Sequence, residues 1–377
     1  MIIKIVDKEI IHVKTHFIEW HSKFENHLTE ERVELYNLGR VPWEESQLIY
    51  HALALMGRES LVILSPASPY VCIGYHQNVN HEVDVDYCRR NDVPLFRREV
   101  GGGAVYLDGN QLFFQIILSK SNPAVPQSRN RFYEKFLQPA IDVYRRIGIA
   151  AEYKPVNDII VADRKISGTG AGEIGDSIAF VGNLILDFDY AMMARVLNVP
   201  DEKFRDKVRK SIEENLTTIR RELEDADRWD EQRLSDLLLE EFDRLLGPLQ
   251  PHERDDDLNR TVEELRSKMM SDDWLYRKGR ALSGVRIRSG VNLMHRMYKA
   301  PGGLIRADYE IRDGRLYSVS LSGDFFCYPE SAIVELESKL EGVSPSEVKD
   351  IIADFYRMEK FEIPAVEVDD WMMILKG

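Results

Sequence analysis

Two short stretches of this chain concentrate residue types that handle anions. The run Arg97-Arg98-Glu99-Val100-Gly101-Gly102-Gly103-Ala104-Val105-Tyr106 follows a strand-like segment, Val93 to Phe96, and precedes a second apolar run. Three consecutive glycines carry no side chains, so a ligand can approach main-chain N–H groups closely. Two guanidiniums beside such groups make a site for phosphate or carboxylate. A flexible connection is the plain alternative, but the β-patterned residues on both sides favour an anion cradle. The second stretch, Asn157-Asp158-Ile159-Ile160-Val161, leads through Ala162-Asp163-Arg164 into Lys165-Ile166-Ser167-Gly168-Thr169-Gly170. A strand–turn–strand there lines up an amide, a carboxylate and an ammonium on one edge. Taken alone, it reads as an exposed hairpin with a surface lysine.

The elements that must position these stretches follow from periodicity. Trp43 to Met56 has helical spacing, with Leu48, Ile49, Ala52, Leu53 and Met56 on one side. Leu61–Leu64, Tyr70–Ile73, Leu112–Leu118 and Ser177–Phe188 read as strands, and Val83–Arg90 as a short helix. Arg129 to Ile147 is an amphipathic helix stopped at Gly148. Ala191 to Leu246 is helical and highly charged, and within it Lys203–Arg221 is either a solvated face or a basic docking face for an acidic carrier domain. The acidic, proline-containing segment Pro248–Asn259 reads as a linker. Beyond it, Thr261-Val262-Glu263-Glu264 has the pattern of a capping box opening a helix to Met270. A hairpin, Leu304–Ile311 and Leu316–Leu321, then turns at Arg312-Asp313-Gly314, and helices follow at Ser331–Leu340 and Ser344–Met358. The first residues carry β-like runs, Ile2–Val6 and Glu9–Val13, and three histidines, His16, His21 and His27, without ligand spacing.

With 377 residues, the chain has room for two domains. A formal net charge of -14 argues against general nucleic-acid binding, because neutralising phosphates needs an excess of Lys and Arg. Cys72, Cys88 and Cys327 have no CxxC spacing, so neither a disulfide framework nor a zinc-cysteine site is expected. Met1–Glu19 has no continuous apolar segment of signal-peptide type, and no window is long enough to span a membrane. A cytoplasmic protein is expected.

The two stretches together, in this order, resemble the lipoate–protein ligase A family of the biotin/lipoate ligase superfamily. Arg97 to Tyr106 is similar to the first half of that family's Arg-Arg-x-x-Gly-Gly-Gly-Ala-Val-x-His-Asp-x-Gly-Asn loop. Ile73-Gly74, Gln77-Asn78 and Glu82-Val83 match its upstream elements, and Asn157-Asp158 and Lys165-Ile166-Ser167-Gly168 its downstream ones. Asp273-Trp274 with Gly279, Gly302-Gly303 and Gly323-Asp324-Phe325-Phe326 resemble its C-terminal accessory unit. The chain departs from the pattern at Leu107, in the usual histidine position, at Val156, where arginine often precedes Asn-Asp, and at Gly170, where alanine is common.

The resemblance implies an α+β fold: an N-terminal extension (1–30), a large catalytic domain of mixed sheets packed with helices (31–250), and a small α+β accessory domain (260–377). It implies an ATP-dependent ligase that converts lipoate, or a similar medium-chain acid, to acyl-AMP and passes the acyl group to a lysine of a lipoyl-accepting protein. ATP and Mg²⁺ are the implied co-reactants, with no membrane partner. By the family pattern Lys165 is catalytic, bridging the acyl carbonyl and the α-phosphate. Arg97, Arg98, Gly101, Gly102, Gly103, Ala104, Val105, Tyr106, Asn157, Asp158, Ser167 and Gly168 would complete the ATP/lipoate site. Asp158 would contact the metal, and Gly74 and Tyr75 the acyl tail. An octanoyl or lipoyl transferase of the same superfamily is the alternative, though Ile166 to Leu186 offers no cysteine for its thioester. A non-catalytic acyl-binding protein on this fold is another. A biotin ligase would carry a Gly-Arg-Gly-Arg-x-Gly-Arg loop, which is absent.

Overall fold

In the computed structural model, which describes residues 33–126, 128–199, 201–278, 292–358 and 361–375, four sheets account for the named strands. In chain order these are β1 (Glu34–Val41), β2 (Ser60–Pro66), β3 (Tyr70–Ile73), β4 (Leu95–Arg97), β5 (Val105–Leu107), β6 (Gln111–Ser119), β7 (Glu152–Lys154), β8 (Asp158–Val161), β9 (Arg164–Ser167), β10 (Thr169–Ile174) and β11 (Ser177–Ile185), followed by β12 (Gln250–Pro251), β13 (Asn292–Ala300), β14 (Gly303–Arg312) and β15 (Arg315–Gly323). The runs Ile2–Val6 and Glu9–Val13, the histidines His16, His21 and His27, and Gly279 lie outside the described residues.

The main sheet has the order β10-β11-β6-β2-β1-β12, mixed in direction: β1 is parallel to β2 and β12, and the other pairs are antiparallel. Alternation along its strands splits it into two faces. Leu61 and Ile63 of β2 and Leu112, Phe114, Ile116 and Leu118 of β6 join the core beneath the helices Arg129–Arg146 and Glu231–Leu246. Val62, Leu64, Phe113 and Ile117 face the opposite core, covered by the helix Glu45–Met56. The helix Arg129–Arg146 buries Phe132, Phe136, Leu137, Ala140 and Tyr144 at helical spacing, and Gly148 (φ 98°) takes the left-handed step past its end, as its sequence suggests. Two three-stranded sheets, β4-β3-β5 and β7-β8-β9, flank the main sheet and carry the two anion-handling stretches.

The acidic segment after Pro248 behaves differently from a linker. β12 adds to the edge of β1, and the helix Asp256–Met269 packs Leu258, Val262, Leu265 and Met269 into the core around Glu45–Met56. That helix starts five residues before the Thr261 capping pattern. Its cap is Asp255, whose carboxylate accepts from the Leu258 N–H at 2.8 Å, and Asp256 and Asp257 sit in the positive first turn. The acidic run is therefore a helix start. Arg58 binds Asp255 at 2.7 Å and Arg266 binds Glu44 at 2.6 Å, fixing the helix to the two ends of Glu45–Met56.

The C-terminal unit has its own core. The sheet β13-β14-β15 packs against the helices Ala332–Leu340, Val348–Arg357 and Val368–Leu375 around Tyr309, Phe325, Ile333, Phe355 and Trp371. The β14–β15 hairpin turns on Asp313 (φ 49°) and Gly314 (φ 73°), both left-handed as a tight hairpin requires. β13 and the last helix add to the hairpin and two helices legible in the sequence. Among the described residues, no helix is long and apolar enough to cross a membrane.

Candidate active site

The alternation that buries one face of β6 and β11 in the core leaves the other face lining a cavity of about 570 Å³. Gln111, Phe113 and Gln115 of β6 and Val181, Asn183 and Ile185 of β11 form its floor. One wall is the glycine loop with β5: Arg98, Gly102, Gly103, Val105, Tyr106 and Leu107. Facing it are Val156, Asn157, Asp158, Lys165, Gly168, Thr169 and Gly170, and the accessory unit closes a side with Lys299, Gly302, Gly303, Asp324 and Phe326. The two stretches singled out by residue type thus meet across one space.

Packing explains one of the three glycines and backbone conformation another. A Cβ on Gly101 would lie 2.8 Å from the Phe326 ring, and one on Gly74 would lie 2.0 Å from the Gly102 carbonyl oxygen. Gly102 itself has φ +92°, where a side chain is strained. The loop is a layer pressed between Gly74 below and the Phe325-Phe326 segment above. Arg98 shapes it from within: Nη2 donates to the Gly101 and Gly103 carbonyls at 2.8 and 2.9 Å, and Nη1 lies 3.4 Å from the Cys72 carbonyl.

Arg97 is placed elsewhere. Its fully buried guanidinium donates to the carbonyls of Gly74 (3.1 Å), Tyr75 (2.9 Å), Gln77 (2.6 Å) and Leu275 (2.6 Å). Burial, reinforced by Arg277, pulls its pKa down to about 9, so it remains charged near neutral pH. In return the Trp274 indole N–H donates to the Arg97 carbonyl at 2.8 Å. Arg97 ties the glycine loop to the Asp273-Trp274 segment and does not reach the cavity.

The lysine stretch is held more loosely. β8 and β9 form a hairpin turned by Ala162 (φ 46°) and Asp163 (φ 63°). Lys165 Nζ lies 2.5 Å from Asp158 Oδ1, and the two side chains are 36% and 35% exposed. Behind them the backbone is pinned: the Thr217 N–H donates to the Lys165 carbonyl at 2.8 Å. Asn157 Nδ2 donates to the Thr169 carbonyl at 3.0 Å, and the Thr169 hydroxyl returns a hydrogen bond to the Asn157 carbonyl.

A relay of buried amides links the two walls. Asn183 Oδ1 accepts from the Gly168 N–H at 2.7 Å, its Nδ2 donates to Gln111 Oε1 at 2.8 Å, and Gln111 Nε2 donates to the Tyr106 carbonyl at 3.2 Å. Ser167, fully buried, donates to the Asn183 carbonyl at 2.6 Å. Gln111 and Asn183 are polar residues inside apolar strands, the one sequence signal that could have flagged them.

Of the residues singled out by the family pattern, Arg98, Gly102, Gly103, Val105, Tyr106, Asn157, Asp158, Lys165 and Gly168 line the cavity. Gly101, Ala104 and Ser167 do not: Gly101 packs against Phe326, Ala104 against the apolar cluster of Val71 and Tyr106, and Ser167 donates to the Asn183 carbonyl. Gly74 and Tyr75 are also outside it: Gly74 is packed under Gly102, and the Tyr75 ring lies beneath the Arg277 guanidinium, 4.1 Å from its centroid. The apolar lining comes instead from Leu107, Phe113, Val181, Ile185, Phe188 and Phe326. Leu107, at the usual histidine position, and Val156, at the usual arginine position, both face this space. In the Lys203–Arg221 region, the helix Arg205–Asn215 spends charge on itself through Arg209–Glu213 (3.0 Å) and Lys210–Glu214 (3.8 Å). Ile212 and Leu216 nevertheless reach the cavity.

Residues 41–243 match the family model of the lipoyl protein ligase A/B catalytic domain. A lipoate-protein ligase, LplJ, from Bacillus subtilis (strain 168) is 29% identical over 275 residues, 73% of this chain and 78% of that protein. The crystal structure of a lipoate-protein ligase A bound with ATP shares the fold at a TM-score of 0.54 and 21% identity, covering 65% of this chain and 98% of that one. The structure of P. falciparum LipL1 in complex with lipoate reaches 0.66 at 17% identity, over 90% of this chain and 98% of that one. Its coverage includes the accessory unit as well as the sheets that build the cavity. With the glycine loop and the lysine hairpin both inside the matched region, the chain belongs to the lipoyl protein ligase A/B family.

Proposed function

We infer that this protein is an ATP-dependent lipoate–protein ligase, acting through acyl-AMP, and that the cavity described above is where both steps occur. The single observation that carries the reading is the meeting of Lys165, Asp158, Arg98 and the open backbone of Gly102–Gly103 around one space that Leu107, Phe113, Val181, Ile185, Phe188 and Phe326 also line. A medium-chain acid needs the apolar lining, and a triphosphate needs the cationic and N–H donor wall.

In the first step a carboxylate oxygen of lipoate attacks the α-phosphorus of ATP. The bond from the α-phosphorus to its bridging oxygen breaks, and pyrophosphate leaves with the electron pair. Two anions repel each other, so the wall must lower that cost before reaction. Lys165 Nζ neutralises charge on the acyl carbonyl oxygen and the α-phosphate, while Arg98 and the Gly103–Tyr106 backbone hold the phosphates. Asp158, a partly exposed hard-oxygen donor on the same edge, suits a magnesium ion beside phosphate, where the metal would screen the charge of the departing pyrophosphate. Moving Asp158 toward that ion would release Lys165 from their 2.5 Å contact.

In the second step a neutral lysine amine of a lipoyl-accepting protein attacks the acyl carbonyl, forming an amide as AMP leaves and the amine sheds a proton. No protein nucleophile is required, and proximity supplies much of the rate. The thioester alternative would run through Cys72, the cysteine that lines this cavity. Burial pushes its thiol above the ordinary value, the opposite of what an attacking thiolate needs.

The test is incubation with lipoate, ATP, Mg²⁺ and a lipoyl-domain acceptor, following AMP, pyrophosphate and acceptor mass. Acceptor modified only in the presence of ATP, with equimolar AMP and pyrophosphate, is the expected result. Modification from an acyl carrier donor without ATP would replace the ligase by the transferase.

A further inference from the structure

Away from the cavity, two imidazoles and a carboxylate converge where the accessory unit meets the catalytic unit. His81 comes from the short helix Val79–Glu82, and His295 and Asp308 are directly cross-strand partners on β13 and β14. One candidate ligand atom from each residue lies within 4.8 Å of the others. We propose that His81, His295 and Asp308 form a binding site for a divalent transition metal of the zinc class, bridging the two units.

The hydrogen bonding of the cluster is incomplete without a cation. His295 Nδ1 lies 2.5 Å from Asp308 Oδ1, but Asp308, only 5% exposed, leaves its other oxygen without a partner among the described residues. His81 Nδ1 is likewise buried and unpartnered. A buried carboxylate oxygen and a buried imidazole nitrogen, both in this cluster, are each costly to leave unpaired. An ordinary His–Asp hydrogen bond satisfies neither of them, whereas one cation accepts lone pairs from both.

The donor set selects the metal. Two imidazole nitrogens and one carboxylate suit zinc, cobalt or nickel, while magnesium and calcium prefer all-oxygen shells. Tetrahedral bonds of about 2.0–2.1 Å place ligand atoms roughly 3.3 Å apart, so the widest separation must close by up to about 1.5 Å while the 2.5 Å His295–Asp308 contact opens. His295, with its side chain 48% exposed, has room to make that move and leaves a side open for water as fourth ligand. The cationic neighbour, Arg306, is paired with Glu82, the residue after His81, so its charge is locally offset. That same ion pair already sets the units in register, with Arg306 and Asp308 two residues apart on β14. A bound metal would clamp the accessory unit, which contributes Asp324 and Phe326 to the cavity wall, against the catalytic unit.

The site is tested on the full chain, stripped with EDTA, desalted and titrated with ZnCl₂ by isothermal calorimetry. The wild type is expected to bind one tight equivalent, weakened by roughly 100-fold in both His81→Ala and His295→Ala. His295 is half-exposed, so its variant is expected to melt at the wild-type temperature without metal, separating lost ligation from lost fold. Absence of a tight equivalent overturns the site. An equivalent retained in both variants assigns zinc to other residues, and one lost only in His81→Ala or only in His295→Ala removes the bridge; each of these results also overturns the proposal.

Discussion

The two walls of the cavity are built on opposite principles. The glycine loop is over-determined: Gly74 presses on it from one side, Phe326 from the other, and Arg97 and Arg98 satisfy its surrounding carbonyls. The lysine hairpin has a pinned backbone but a free working end, where Lys165 and Asp158 touch each other and little else. Such a difference is what a two-step acyl transfer needs. Phosphate donors must be fixed before reaction, because reorganising them would cost free energy at the transition state. In the proposed mechanism the Lys165 ammonium follows charge from substrate to adenylate, and for that it must be able to shift.

The largest expected effect separates these roles at the free end. Lys165→Ala should lower the rate of acyl-AMP formation by about 10³-fold or more, equivalent to about 4 kcal/mol of transition-state stabilisation. Its melting temperature should stay within about 2 °C of wild type, because the residue is partly exposed and its ion pair with Asp158 is partly solvated. Pyrophosphate release measured beside calorimetry decides this. A variant that forms acyl-AMP at the normal rate ends the role assigned to Lys165, and one that also unfolds would make the hairpin as structural as the loop.

Arg97→Met reverses the pattern. Removing the guanidinium takes a donor from five backbone carbonyls inside the protein, those of Gly74, Tyr75, Gln77, Trp274 and Leu275, and each group left unsatisfied costs about 1–3 kcal/mol. Allowing for relaxation, a loss of about 3 kcal/mol or more in urea unfolding is expected, with any folded fraction retaining its affinity for ATP. Normal stability with weakened ATP binding would move Arg97 into the cavity and erase the contrast.

This arginine also shows what the sequence could and could not display. Arg97 ends β4, and successive residues of an extended chain point to opposite sides, so only one of the two arginines could face a ligand. Which one does so depends on Trp274 and Leu275, some 180 positions away in the chain, whose carbonyls complete the cage. The Lys165 hairpin was legible because its chemistry and its turn are local. The Gly168–Asn183–Gln111–Tyr106 relay was not, since strand register alone brings residues 72 apart into contact. β13 escaped notice for a related reason: it is an edge strand with few buried side chains, so it lacks the alternation that betrays a half-buried strand. The acidic run at Asp255 misled because charge density reads as linker until its carboxylate is seen capping a helix.

A smaller effect probes the rigid side through pH. Glu330 of the accessory unit accepts from the Glu173 N–H at 2.9 Å, and its Oε1 would lie 2.7 Å from a Cβ on Gly172, behind the glycine loop. Burial, with Glu173 and Glu99 nearby, raises its pKa to about 8. The folded state therefore holds a proton that the unfolded chain releases near pH 4.5. The stability it contributes is full below that value and is lost as pH rises through about 8. Glu330→Gln, which stays neutral, should flatten this fall, narrowing the drop in melting temperature between pH 5 and pH 9 by a few degrees. An unchanged profile would show that the carboxyl does not titrate against the loop.

The smallest expected effect lies where the walls nearly touch. Gly170 carries no positive φ, so alanine is conformationally allowed, and its Cβ would sit 3.0 Å from Val100 Cγ1 and 3.8 Å from the Phe326 ring. Gly170→Ala gains up to about 1 kcal/mol by restricting the unfolded chain and loses a similar amount to crowding, so stability should change by less than about 1 kcal/mol. The methyl group intrudes on the cavity between the fixed loop and Phe326. For a panel of acids of increasing chain length, KM should rise by roughly 2–5-fold for the longest and stay constant for the shortest, with kcat unchanged. A uniform rise across the panel would place this narrow point on the nucleotide side. The rigid wall would then shape phosphate binding alone, and the acyl tail would be measured by the apolar residues of the floor, Phe113, Val181 and Ile185.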